Sequence, residues 1–371
     1  MATLSEYKKA ATGQGIQTGG QSKNSLKRRV VPDMNIGLIG AGSWGTALAI
    51  LLGSKGFQVV LWIRRKDLLE KMAGTRENSD YLPGVSLPEN IKLTNNLEEA
   101  VQGKDLLVIA VPSHAVEDLI NKIRGFIGEG TIIVNAAKGL AEGSLKRLSQ
   151  VIAEGLPGNL SCKVAVLSGP NHAEEVCRFI PTATVVAAEE ENVAKAVQDI
   201  FMTSLFRVYT NTDMIGVELG GALKNVIAIG AGVCEGMNYG DNTKAALITR
   251  GIVEITRLGL ALGAKRGTFS GLTGIGDLFV TCTSLHSRNR YVGMMLGKGK
   301  SMEEIISSMK MVAEGIKTTK AAYLLAQKLG VEMPITDEVY RVLFLGVKPQ
   351  DAVESLMRRD KTREIEEVAF D

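Results

Sequence analysis

The sequence predicts an α/β fold, a doubly wound and mostly parallel sheet followed by an all-helical C-terminal domain. From Asn35 to about Thr210, short apolar runs alternate with helix-like segments, the order expected of repeated βα units. These runs are continuously apolar, as in Leu106-Leu107-Val108-Ile109-Ala110-Val111, which is the pattern of strands covered on both faces. After about Asn211 the strand signals stop and helical segments take over.

In order, the predicted strands are Asn35–Ile39, Gln58–Ile63, Asp105–Val111, Thr131–Asn135, Lys163–Leu167, Thr182–Ala187 and Arg207–Thr210. Helices are expected between most of them, over Trp44–Ser54, Lys66–Met72, Ala115–Ile123 and Val193–Met202. Residues 212–264 are Gly/Ala-rich and apolar nearly all round, which predicts tightly packed, buried helices. Further helices are expected near 272–280, 287–297, 302–308, 315–329, 334–345 and 350–358. The predicted division is an extension over 1–33, a sheet domain over 34–210 and a helical domain over 211–371, with a hinge near 210.

A chain of 371 residues is long enough for two cores, and 45% hydrophobic with 22% charged residues is an ordinary globular composition. The formal net charge of +3 is concentrated at one end. Residues 1–33 hold six Lys and Arg against two acids, which leaves 37 against 38 in the remainder. A nearly neutral body gives no case for a nucleic-acid partner. Four scattered cysteines (Cys162, Cys177, Cys234, Cys282) form no C-x-x-C pair and favour a reducing compartment. Three histidines in the whole chain argue against a metal site, which needs clustered ligands.

No uninterrupted apolar run approaches the ~18 residues of a membrane span. The strongest candidate, Val226–Cys234, is bounded by Lys224 and Glu235. Residues 1–33 read as a disordered extension without the apolar core of a secretory signal. Two readings of location stay open. One is a cytoplasmic protein whose natural start is Met34; the other is an organellar protein, plastid for example, with a basic transit peptide. Oligomeric state is open as well, with a homodimer among the options.

The stretch Gly40-Ala41-Gly42-Ser43-Trp44-Gly45 has G-x-G-x-x-G spacing, and it lies between a predicted strand and a predicted helix. That context makes it a Rossmann-type dinucleotide-binding loop. Gly40 permits the tight turn, Gly42 clears space for a pyrophosphate, and Gly45 lets helix and strand approach. The helix N-terminus then presents free N–H groups and a positive dipole end to the phosphates. At the end of the second strand, where an NAD site usually carries an acid, the chain reads Arg64-Arg65. Two arginines there would attract a 2′-phosphate and favour NADP over NAD.

In the second half, Lys224 is a lone charge in the apolar stretch GVELGGALKNVIAIGAG. A partly buried lysine has a lowered pKa and can exchange a proton with a substrate. Asp277, in GLTGIGDLFVTC, is likewise isolated, so a cationic partner is expected for it. The run Ser287-Arg288-Asn289-Arg290 is a cluster suited to a phosphate. Lys138 stands at the end of a predicted strand, at the carboxyl edge where doubly wound sheets bind ligands. These features describe an oxidoreductase with a small anionic substrate.

The motifs GAGSWGTALA, YLPGVSLPENI, AAKGL, SGPNHAEEV, GVELGGALKNVIAIGAG, GLTGIGDLFVTCTS, SRNR and VAEGIKTT stand in the order seen in glycerol-3-phosphate dehydrogenases. The chain resembles the soluble, bacterial-type NAD(P)-dependent members from Asn35 to about Arg359. This resemblance implies that Lys224 is the general acid/base. It places Ser43 and Trp44 at the cofactor phosphates, Arg64 at the adenosine end and Ala173 at the nicotinamide half. Lys138, Gly169, Asn171, Asp277, Ser287, Arg288 and Asn289 would surround the substrate, with Lys138 and Arg288 also near the cofactor. Val312 and Glu314 would close over the cofactor from the helical domain. One departure is visible: the family usually has Ser or Thr followed by Phe where this chain has Asn171 and His172.

The implied reaction is reversible reduction of dihydroxyacetone phosphate to sn-glycerol 3-phosphate, the backbone of glycerophospholipids, with NADP or NAD. Two rivals are a β-hydroxyacid or ketopantoate-type dehydrogenase, which would need a carboxylate substrate, and a non-catalytic NADP sensor. A sensor has no need of Lys224 and Asp277 in a second domain.

Overall fold

The computed structural model describes residues 34–364, apart from 159, 310, 312 and 362. The extension expected over 1–33 lies outside the described residues. Eight strands form one sheet: β1 Asn35–Ile39, β2 Gln58–Trp62, β3 Ile91–Thr94, β4 Leu106–Ile109, β5 Ile132–Asn135, β6 Lys163–Ser168, β7 Thr182–Ala188 and β8 Phe206–Asn211. Their order is β3-β2-β1-β4-β5-β6-β7-β8, and every described pair is parallel except β6 with β7.

One strand departs from the expectation, and one reversal within the mostly parallel sheet has a local cause. Strand β3 was not predicted. It is four residues long with only two apolar ones, Ile91 and Leu93, too short a run to stand out. The reversal at β7 follows from the link before it, whose only helix spans four residues, Ala173–Val176. A parallel return needs a longer crossover, so the chain doubles back.

The sheet is covered by helices α1 Ser43–Ser54, α2 Lys66–Thr75, α3 Leu97–Val101, α4 Val116–Ile123, α5 Leu148–Gly155, α6 Ala173–Val176 and α7 Glu191–Phe201. The strands are covered on both faces: Leu38 and Val108 belong to one apolar cluster, Ile39 and Ile109 to another. Beyond β8 come α8 Met214–Gly236, α9 Asp241–Ala261, α10 Arg266–Phe269, α11 Asp277–Thr283, α12 Arg288–Gly297, α13 Met302–Ser308, α14 Glu314–Leu329, α15 Pro334–Phe344 and α16 Pro349–Met357. A short π-helical turn, Leu272–Gly276, leads into α11.

Helix α8 is the axle of this half. Helices α9, α11, α12 and α14 pack against it, and it is buried nearly all round. By length and composition α8 could cross a membrane, which the unbroken-run criterion missed because Glu218 and Lys224 interrupt it. Yet 94% of its apolar window is buried inside the protein, so it is a core helix here. Helix α9 does not match the expectation of full burial. Only Ile248, Gly251, Glu254, Ile255, Leu258 and Gly259 are buried, and the rest is half-buried or exposed.

Candidate active site

The order of the strands reverses between β1 and β4, which opens a crevice at their carboxyl ends. The glycine loop lies there. Gly40 has φ +115°, and a Cβ on it would meet the Ala110 carbonyl oxygen at 2.7 Å. A Cβ on Gly45 would lie 1.9 Å from the Gly40 oxygen, so neither position admits a side chain. Gly42 differs: a Cβ there meets nothing within 4 Å among the described residues, which leaves the space over the N-terminus of α1 clear of them. Asn78, which the sequence reading missed, holds this loop by donating to the Ala41 carbonyl at 2.9 Å and to Thr46 Oγ1 at 2.8 Å.

The Ser43 hydroxyl does not point freely at a phosphate. It donates to the Tyr81 carbonyl at 2.8 Å, so what this position offers is its backbone N–H in the first turn of α1. Trp44 lines the cleft, and its indole Nε1 is buried with no partner among the described residues. At the end of β2 the two arginines differ. Arg64 is exposed at the cleft, whereas the Arg65 guanidinium is held by Asp67 at 2.6 Å and Asp80 at 3.1 Å.

The cleft has a volume of about 570 Å³ and lies between the sheet and the helical half. On its floor, Lys224 Nζ donates to the Asp277 carboxylate and to Thr281 Oγ1, the latter at 2.8 Å. Lys138 approaches the same carboxylate from the sheet side, with Nζ 3.0 Å from Asp277 Oδ2, 3.0 Å from the Gly169 oxygen and 2.9 Å from Asn171 Oδ1. Burial pushes the Lys224 ammonium down to about 7, against the pull of Asp277. Burial raises the Asp277 carboxyl, but the two lysines outweigh it and hold its pKa below the usual value.

Several expected substrate ligands have other neighbours. Gly169 and Asp277 are not on the cleft wall; they lie behind Lys138 and Lys224, and Asp277 is 1% exposed. Asn171 reaches the cleft, yet its Nδ2 donates to Thr184 Oγ1 at 2.9 Å while its oxygen faces Lys138, so it supports that lysine. Ser287 caps α12, and Arg288, next in the chain, is exposed at the cleft. Arg290 is not part of the cluster: it is buried against Glu235 and the Ser284 carbonyl. Asn289 accepts from Gly315 N–H at 2.9 Å and donates to Asn225 Oδ1 at 2.8 Å, tying α8, α12 and α14 together.

Asn225 and Thr281 both line the cleft and were not singled out from the sequence. Thr281 was detectable in principle, because it stands one helical turn from Asp277 on the same face. Ala173 is buried in the cleft wall beside His172, and Glu314 lines the helical side. Burial, with Lys224 and Lys138 nearby, pushes the His172 imidazole down to about 4, so it is neutral at physiological pH. Val312 lies outside the described residues.

Residues 35–194 match the family described as the NAD-dependent glycerol-3-phosphate dehydrogenase N-terminus, and residues 213–354 match its C-terminus. The chain belongs to this family. Among its relatives, a glycerol-3-phosphate dehydrogenase using NAD(P)+ from Pelotomaculum thermopropionicum is 53% identical over 335 residues, 90% of this chain and 96% of that one. Its counterpart in Moorella thermoacetica is 55% identical over 333 residues, 90% of this chain and 98% of that one. The crystal structure of the family member from Coxiella burnetii is 40% identical, with a TM-score of 0.85 over 88% of this chain and 99% of its own. A ketopantoate reductase from Ralstonia eutropha shares the fold at 14% identity and a TM-score of 0.56.

Proposed function

We infer a specific reaction for this protein, which family membership makes an oxidoreductase that uses NAD or NADP. We propose that it catalyses the reversible reduction of dihydroxyacetone phosphate to sn-glycerol 3-phosphate, that this product feeds glycerophospholipid synthesis, and that Lys224 carries the proton. The observation behind this reading is a lysine with a near-neutral pKa on the floor of a cleft that opens beside a dinucleotide loop.

The crevice suits a dinucleotide: Gly42 leaves it open and, among the described residues, the N–H groups in the first turn of α1 and Trp44 Nε1 have no partner. Gly40, Gly42, Ser43, Trp44, Gly45, Arg64, Ala173 and Glu314 would hold it. When bound, the nicotinamide ring supplies or accepts the hydride. Lys224 donates a proton to the developing alkoxide during reduction and, once neutral, removes it during oxidation. Lys138 places a second positive charge near the reacting oxygen, and Asp277 fixes both ammonium groups from behind. Ser287, Arg288 and Asn289 stand at the start of α12, where the substrate phosphate would anchor away from the reacting carbon.

Steady-state kinetics of Lys224→Ala tests the reading. Asp277 keeps Lys138 as a partner, so the variant retains a compensated carboxylate and should fold. Its kcat should fall ~10²-fold or more, as for loss of a general acid, with cofactor affinity little changed. In the wild type, oxidation needs neutral Lys224 and should accelerate as pH rises through about 7; reduction needs the ammonium and should slow over the same range. Near-normal turnover of the variant would remove Lys224 from the mechanism.

A further inference from the structure

The loop after β4 and the N-terminus of α14 meet across the crevice, joined by one side chain. Ser113 Oγ donates to Glu314 Oε2 at 2.5 Å, and Ser113 N–H donates to Oε1 at 3.4 Å. Ser113 is 3% exposed and Glu314 half-buried, so the serine end of this charge-assisted pair is shielded from water. Gly139, in the loop after β5, makes room for it: a Cβ there would lie 2.6 Å from Ser113 Cβ and 2.7 Å from its Oγ. One turn further along α14, Lys317 pairs with Glu142 at 3.1 Å, a half-exposed contact that adds little. Glu314 lines the cleft and Ser113 does not, so the serine acts on a ligand only through the carboxylate.

We propose that Ser113 is a positioning residue. Its grip on Glu314 keeps the helical wall of the cleft closed against the sheet, over the nicotinamide dinucleotide. The inference rests on the cofactor reading above. Apparent affinity is the intrinsic affinity reduced by the fraction of molecules in the binding-competent arrangement. A hydrogen bond shared by the two walls raises that fraction.

The test is the dissociation constant of NADPH without substrate, read by quenching of tryptophan fluorescence, with thermal midpoints recorded for every variant. Ser113→Ala should raise this constant about ten-fold or more, from the lower end of the range for one hydrogen bond to a charged group. Its midpoint should fall only slightly, as for one lost hydrogen bond, and its KM for dihydroxyacetone phosphate at saturating cofactor should stay near the wild-type value. Glu314→Ala should weaken NADPH as well, and adding Ser113→Ala to it should cost nothing more, because the serine acts through that carboxylate. An unchanged constant in Ser113→Ala, or a full further loss in the double variant, would overturn the proposal. A wild type that bound neither NADPH nor NADH would instead overturn the cofactor reading, and this inference with it.

Discussion

Lys138 and Lys224 approach one carboxylate from opposite sides of the cleft, and with Lys224 protonated the floor carries two ammonium groups against Asp277. That excess of positive charge suits an anionic substrate, but it does not choose between a phosphate and a carboxylate. Arg288 makes the finer test. A guanidinium can hold phosphate through two parallel hydrogen bonds, which lysine cannot reproduce. Arg288→Lys should raise the KM for dihydroxyacetone phosphate markedly and that for unphosphorylated dihydroxyacetone much less; equal losses would make the residue structural or cofactor-bound. The arginines after β2 are separable in the same way. Asp67 and Asp80 already hold Arg65, so Arg64→Ala should weaken NADPH roughly ten-fold or more, and Arg65→Ala less. NADH binding should hardly change in either variant. Equal losses for both cofactors would show that neither residue reads the 2′ position.

At the level of elements, the phosphate end of the site depends on how closely α12 lies against α8. Glycines make this approach possible: a Cβ on Gly293 would lie 1.9 Å from the Ile229 oxygen, and one on Gly232 would lie 2.0 Å from the Arg290 oxygen. Gly293→Ala should therefore destabilise the protein by about 1–3 kcal/mol, the usual cost of overpacking. Because α12 begins at Arg288, the KM for the phosphate substrate should rise with it. Gly74→Ala is the control, since it is exposed in α2 with nothing within 4 Å of the added Cβ, and it should stabilise slightly. Urea midpoints of the two variants compare the effects directly. Helix α8 was visible in the sequence as an apolar Gly/Ala stretch; its glycine contacts with α12 were not, since the two segments are distant in the chain.

For the whole molecule, the cleft is a property of two cores brought together, one on the sheet and one around α8. A dinucleotide touching both walls binds the folded chain and not the unfolded one. At 100 times its dissociation constant it should stabilise the protein by about 2.7 kcal/mol, seen as a raised thermal midpoint. A midpoint indifferent to both NADPH and NADH would sink the cofactor reading. By itself the sequence determined what local spacing controls: the βα alternation, the glycine loop between β1 and α1, and the lone charges Lys224 and Asp277 in apolar surroundings. Strand period, turn conformation and the cost of burying a charge act over a few residues, so a linear reading finds them. Only the tertiary structure decided which of those charges meet. It set Lys138 and Lys224 on one carboxylate and withdrew Asp277 and Gly169 from the cleft wall. It also turned Arg290 away from Arg288 and joined Ser113 to Glu314. Such contacts depend on how distant segments close on each other, and no local pattern in the chain encodes them.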